Sequence, residues 1–216
     1  MTKANPKLSR ASKMPCKSWS LPAWEACPSA RDQKGKPVDA CEYCYALTGA
    51  YRYPSTIESR QHNMQDWKRE GWVDAMVKAI GKSEYFRWFD SGDVYCEELA
   101  QKIYKVMLST PNCKHWLPTR MHKDPEVYDW LRSMNVLDNV VVRYSSDSVH
   151  GKRLKFRTNS TIIQNADDFV PEKGYALCRA YSRNGKCKSC RACWSKNVRT
   201  VAYALHGHKV NERFFV

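Results

Sequence analysis

Glu84-Tyr-Phe-Arg-Trp-Phe-Asp-Ser-Gly-Asp93 is a short aromatic run that ends in a polar tip. Aromatic side chains favour the pleated, half-buried surface of a strand, and the glycine in the tip permits a tight turn. Downstream, Leu99, Ile103, Val106 and Met107 recur at helical spacing until Pro111 closes the element. The unit then repeats. Lys114-His-Trp-Leu117 reads as a second strand ending in Pro118-Thr-Arg120, and a helix from about Pro125 to Met134 follows, with the proline suited to its first turn. Asn139 to Tyr144 is a third strand, tipped by Ser145-Ser-Asp147. Thr161 to Gln164 is a fourth, and Thr200 to Leu205 a last one.

Strand, polar tip and helix in alternation predict an α/β fold with a parallel sheet. In such sheets the carboxyl ends of the strands share one rim, where ligands collect. That rim should gather Asp90, Asp93, Arg120 and Asp147. The chain has 216 residues, too few for eight such units plus the cysteine loops described below, so a partial or reduced (β/α) barrel is expected. Upstream, Ser55-Thr-Ile-Glu58 has the form of a capping box, and a helix follows to about Glu70. Val73, Met76, Val77 and Ile80 mark another helix between Gly71 and Gly81.

Both ends of this domain are rich in cysteine. Cys178, Cys187, Cys190 and Cys193 form C-x8-C-x2-C-x2-C, and two consecutive x2 spacings let three sulfurs turn toward one point. Cys41 and Cys44 make a second knuckle, with Cys27 as third ligand; Cys16 reads equally well as a small buried residue. The start of the chain lacks the apolar core of a signal peptide and no run is long enough to span a bilayer, which predicts a reducing cytoplasm. There, clustered thiols argue for metal ligation over cross-linking. The expected cofactor is a four-iron cluster or zinc. The two sets form separate centres or pool their ligands in one; His206 and His208 are further candidate ligands.

The net charge is +14, so the chain should attract polyanions. From Lys173 onward, five lysines and five arginines face a single acid, Glu212. Arg179, Arg183, Lys186, Lys188, Arg191, Lys196 and Arg199 can neutralise phosphates, and Tyr181 and Trp194 can stack on bases or pack beside the metal loop. Nucleic acid is the expected partner, ahead of an acidic membrane surface, because no amphipathic helix with a lysine-rich face accompanies the charge. Residues 1–14 read as a flexible basic arm, and 15–216 as a single domain. At the strand tip, Asp90 and Asp93 suit a nucleophile paired with an acid or base, or alternatively a cap and a turn; Asp147 is a third candidate.

The chain resembles the phage gene-product-88 family. The resemblance rests on Lys13-Met-Pro-Cys-Lys-Ser-Trp-Ser-Leu-Pro22, Cys27-Pro, Cys41-x2-Cys44-Tyr-Ala, Arg87-Trp-x-Asp-Ser-Gly-Asp93, and the final Cys-x2-Cys-x2-Cys193-Trp with His206 downstream. It implies a relationship to phage DNA transglycosylases, relatives of tRNA-guanine transglycosylase that exchange guanine in DNA for a 7-deazaguanine base. In that superfamily an Asp-Ser-Gly-Gly turn handles the guanine, and Asp90-Ser-Gly92 looks like it, with Asp93 in place of the second glycine. A second aspartate attacks the sugar C1′, a role open here to Asp147 or Asp93. The superfamily's zinc loop is C-x-C-x2-C with a histidine, from which this chain departs. Two other functions remain open from the residues: a non-catalytic nucleic-acid-binding protein stapled by metals, and a radical enzyme using S-adenosylmethionine with Cys27, Cys41 and Cys44 leaving one iron open.

Overall fold

The computed structural model describes residues 5–206, 209–211 and 215. Eight strands form one sheet: β1 (Leu8–Ser9), β2 (Lys17–Trp19), β3 (Tyr85–Trp88), β4 (Lys114–Thr119), β5 (Val140–Ser145), β6 (Asn159–Ile163), β7 (Tyr175–Leu177) and β8 (Thr200–Ala204). Their order is β1-β2-β3-β4-β5-β6-β8-β7. Only the β1–β2 pair is antiparallel. The order ends at β1 and β7, and no pairing among the described residues joins those edges into a closed barrel.

Five helices accompany the sheet: α1 (Asp39–Glu42), α2 (Pro54–Asp66), α3 (Trp72–Ile80), α4 (Glu97–Leu108) and α5 (Pro125–Val136). Because β2 to β6 are neighbours in chain order, right-handed crossovers carry their helices to the same face of the sheet. Alternation along the strands shows which side chains meet them. Phe86, Trp88, Leu117, Val140, Val142 and Tyr144 join the main core with Met76, Ile80, Leu99, Ile103 and Leu131 from the helices. Trp19 sits at its centre, edge-on to Trp72, Trp88 and Phe89 at 5.2, 6.0 and 5.7 Å between ring centroids. Arg87, Trp116, Arg143 and Ser145 alternate with those core positions and therefore point to the opposite face. That face is covered by the two cysteine-rich segments, the first of which includes the short α1.

Several local expectations change. The capping box at Ser55 does not form: Tyr53 is the N-cap, Pro54 opens α2, and Ser55 lies inside the helix. A side-chain cap does precede α5, where Asp124 accepts from the Val127 amide at 3.1 Å, and a capping box forms between Asn165 and Asp168. Leu8 and Ser9, in the stretch expected to be a free arm, pair with β2. Asn63, fully buried, also exchanges hydrogen bonds with the Lys7 backbone in both directions at 2.9 Å. Strands β1, β2 and β7 are only two or three residues long, too short for an alternation to register.

Inside the core, the fully buried His115 accepts a hydrogen bond at Nδ1 from Trp88 Nε1 at 3.2 Å, and its Nε2 meets Thr110 Oγ1 at 2.9 Å. Thr110 donates its own proton to the Val106 carbonyl, so the neutral imidazole is satisfied with its proton on Nε2. A second proton would face the Trp88 N–H. Burial accordingly lowers the His115 pKa from 6.5 to about 4. The unfolded chain then binds more protons than the folded one between those values, so stability is complete above pH 6.5 and falls as the pH drops toward 4. Chemical denaturation across that window should show a loss approaching about 3 kcal/mol from this group; stability that is flat there would contradict the assignment.

Candidate functional site

Between this second face and the cysteine-rich segments lies a cavity of about 500 Å³ at the carboxyl ends of the strands. Its floor is the outward register of the sheet, including Arg87, Trp116, Pro118, Ser145 and Ser160, and the strand tips contribute Asp90, Asp93 and Arg120. Its walls are cysteine. Cys27, Cys41 and Cys44 line one part of it, and Cys178, Cys187 and Cys193 line another.

All ten cysteines are free thiols. Burial pushes Cys27 well up, helped by the charges of Asp93 and Cys44, and pushes Cys44 up to about 11, helped by Cys41. Burial likewise raises Cys193 to about 11 and raises Cys187, with Cys178 adding to both. Each set therefore senses its own members. Among the described residues, no group of three or more His, Cys, Asp or Glu side chains is arranged to hold a metal ion as it stands. Cys190 is exposed and lies outside the cavity wall. Cys16 is buried with Met14, Trp116 and Trp194, against Cys187 and Cys193 rather than the nearer cysteines in sequence. His206 lines the cavity; His208 lies outside the described residues.

The strand tip is held by a buried network. Arg60 reaches from α2 and donates through Nη2 to both Asp90 oxygens at 3.1 and 3.3 Å, through Nε to Ser91 Oγ at 3.0 Å, and through Nη1 to Ser9 Oγ at 2.9 Å. The Ser20 hydroxyl donates to Asp90 Oδ1. Asp93 is committed too: its Oδ1 accepts from the Val94 amide at 2.8 Å and its Oδ2 from the Arg120 amide at 2.9 Å. Burial raises the Asp93 pKa despite these bonds. Both carboxylates are thus held in structure, though neither caps the following helix: Cys96 stands at the start of α4 without a side-chain cap, and Asp90 meets the Arg60 and Ser20 side chains rather than turn backbone. Asp147 does not line the cavity; it pairs with Lys123 at 2.6 Å and Arg120 at 3.5 Å, while its carbonyl accepts from the Ala40 amide. It fastens the first cysteine loop to the end of β5.

Of the expected phosphate-binding residues, Arg179, Lys186, Lys188 and Arg199 are exposed and Arg183 is half-buried. Three others are engaged in structure. Trp194 is buried, donates its indole N–H to the Phe86 carbonyl at 3.0 Å and packs edge-on against Trp116 and Tyr85; its large apolar area is worth more inside than on a nucleic-acid face. Lys196 Nζ donates to the Asn135 and Leu137 carbonyls at the end of α5. Arg191 holds the Lys188 and Cys190 carbonyls.

Sequence reading missed two cavity residues. Arg87 stands between Phe86 and Trp88, and a cation alternating with core aromatics was the available signal that it faces the other way. Its guanidinium lies over Trp116 at 4.5 Å and its Nη2 donates to the Tyr45 hydroxyl at 3.2 Å, while its buried Nε has no partner. Burial works against this cation, but the nearby Tyr45, Asp90 and Tyr51 outweigh it and hold it charged. Tyr45 in turn donates to the Asp90 carbonyl at 2.8 Å.

These features define a mixed α/β protein with a thiol-walled cavity at the carboxyl rim of a mostly parallel sheet. The family model described as Gene product 88 matches residues 1–196, and the chain belongs to that phage protein family. No curated protein and no solved structure matches it significantly. No helix among the described residues is long and apolar enough to cross a membrane.

Gly92 sets how closely the tip approaches β2. Its φ is +74°, and a Cβ there would lie 2.6 Å from the Leu21 Cβ and 3.0 Å from the Leu21 carbonyl oxygen. Gly92→Ala should cost about 2 kcal/mol or more by thermal or chemical denaturation. A variant as stable as the parent would show that the tip relaxes without this contact.

Proposed function

We propose that this chain is an iron–sulfur enzyme that modifies bases in phage DNA. Cys27, Cys41 and Cys44 would hold a four-iron cluster with one iron left open, and Cys178, Cys187, Cys190 and Cys193 a second centre. The observation that carries the reading is that six free thiols from two distant segments line one cavity. Soft thiolate sets select iron–sulfur clusters or zinc, and three thiolates rather than four leave a coordination position free. The position of the cavity at the carboxyl ends of a mostly parallel sheet supports it as well, because ligands collect there in such sheets.

When bound, a cluster with an open iron supplies the single electron that cleaves a sulfonium such as S-adenosylmethionine. The protein's own groups do the rest. Arg87 and Arg120 present cationic donors to the cavity, the cysteine loops shield it from water, and the exposed cations of the last fifth of the chain hold phosphates. Metal loading would fix the cysteine loops in place, so metal binding and loop order should be coupled.

Guanine exchange is the second reading. It is favoured by the placement of Asp90-Ser-Gly92 on the cavity wall and by the basic surface. It would require Asp90 to be released from Arg60 and Ser20, or Asp93 from its two amides, before either could act as nucleophile. Zinc would then suffice as a structural metal.

The test is to incubate anaerobically purified protein with a reductant and S-adenosylmethionine. Methionine and 5′-deoxyadenosine should accumulate, and Cys44→Ala should abolish both. Iron-loaded protein that cleaves no sulfonium would overturn the radical reading, and incorporation of labelled 7-deazaguanine into DNA without S-adenosylmethionine would establish the second.

A further inference from the structure

The mouth of the cavity is bridged by a row of aromatic rings that neither cysteine set nor the aspartates explain. Tyr51, Tyr45, His206 and Tyr181 follow one another at centroid separations of 5.5, 5.9 and 4.4 Å, and all four line the cavity. The row runs from the first cysteine loop to the basic cysteine segment. Two of its members are costly to leave as they are: Tyr45 is 40% and Tyr181 49% exposed. Large rings at this exposure, next to a cavity, offer flat faces to a ligand.

Cations stand at both edges of the row. Lys13 Nζ lies 4.8 Å from the Tyr181 ring centroid, and Arg179 and Lys186 are exposed nearby in sequence. On the cavity side, Arg87 offers its buried and unpartnered Nε beside the Tyr45 hydroxyl. Ring faces flanked by cations on the outside and a spare hydrogen-bond donor on the inside match a nucleotide, whose base has a π-face and acceptor atoms and whose phosphate is anionic.

We infer that the Tyr45, His206 and Tyr181 row seats one unstacked base of a polynucleotide, with Arg87 donating to its acceptor edge and Lys13 and the basic segment holding the adjoining phosphates. This deepens the proposed function by naming what enters the cavity, and it rests on that reading only for the chemistry that follows binding. A base in a duplex cannot reach such a row while stacked on its neighbours, so the preferred ligand is single-stranded or opened nucleic acid.

The experiment compares two single-stranded oligonucleotides, one carrying 2-aminopurine at its centre and one with an abasic site there, for binding to the intact protein, whose iron is assayed separately. The 2-aminopurine should be quenched on binding, and the abasic strand should bind about tenfold more weakly, the usual scale of one base–aromatic stack. Tyr181→Ala, an exposed change that leaves the core intact, and Arg87→Met should each weaken the base-bearing strand toward the abasic one and leave abasic binding within about twofold. Equal affinity for the two strands, or a difference that survives both substitutions, would overturn the inference. So would displacement by a free nucleotide at the oligonucleotide's own affinity, which would identify the occupant as a small molecule. Loss of iron with the base-dependent difference intact would count against the proposed chemistry and not against this site.

Discussion

The covering of the sheet's second face depends on one buried cation. Arg143 on β5 is fully buried, and its guanidinium donates to six backbone carbonyls, those of Ala192, Cys193, Ser195, Val198, Asn159 and Arg199, at 2.7 to 3.5 Å. No carboxylate is among its hydrogen-bond partners, and burial lowers its pKa, with Cys193 and Tyr203 opposing. A charge in that position is tolerated because carbonyl oxygens replace its water. The consequence is topological. The segment from Cys187 to Arg199 lacks a helix or long strand to organise it, and the arginine fork fixes its carbonyls instead, laying the second cysteine set over the sheet.

On the other side of the rim, the Arg60–Asp90 pair does comparable work. It joins α2 to the tip of β3 and, through Ser9 and Ser20, to β1 and β2. A buried pair this heavily hydrogen-bonded is a fixed part of the scaffold, since breaking either member strands the other's charge. The aspartates that look most reactive in the sequence are therefore the least free in the fold. Reactivity at the rim shifts to the free thiols, the unpartnered Arg87 Nε and the ring faces of the aromatic row.

How much of this could be read from the sequence follows from which interactions are local. Strands β3, β4, β5 and β8 and helices α3, α4 and α5 were legible because aromatic runs, helical spacing, Pro125 and Gly81 act over a few residues. Strands β1, β2 and β7 were not, because they exist only through pairing with distant partners. For Trp194 the sequence left base stacking and packing beside the cysteine loop both open, since nothing near it in sequence reveals the Trp116 and Tyr85 rings against which it packs. Asp147 read as a rim carboxylate because Lys123 and the Ala40 amide, its actual partners, are distant along the chain. Cys16 packs beside Cys187 and Cys193 rather than beside the cysteines nearer to it in sequence, for the same nonlocal reason.

The most direct test of the account is the iron and acid-labile sulfide content of protein purified without oxygen, together with its visible spectrum, for the parent chain and for two variants. One replaces Cys27, Cys41 and Cys44 with alanine, the other Cys178, Cys187 and Cys193. The account predicts iron and sulfide in the parent, absorption near 400 nm of the kind expected for roughly any four-iron cluster, and about half the iron retained in each variant because the sets are separate. Zinc alone in the parent, or complete loss of metal from either variant, would contradict two independent iron–sulfur centres facing one cavity.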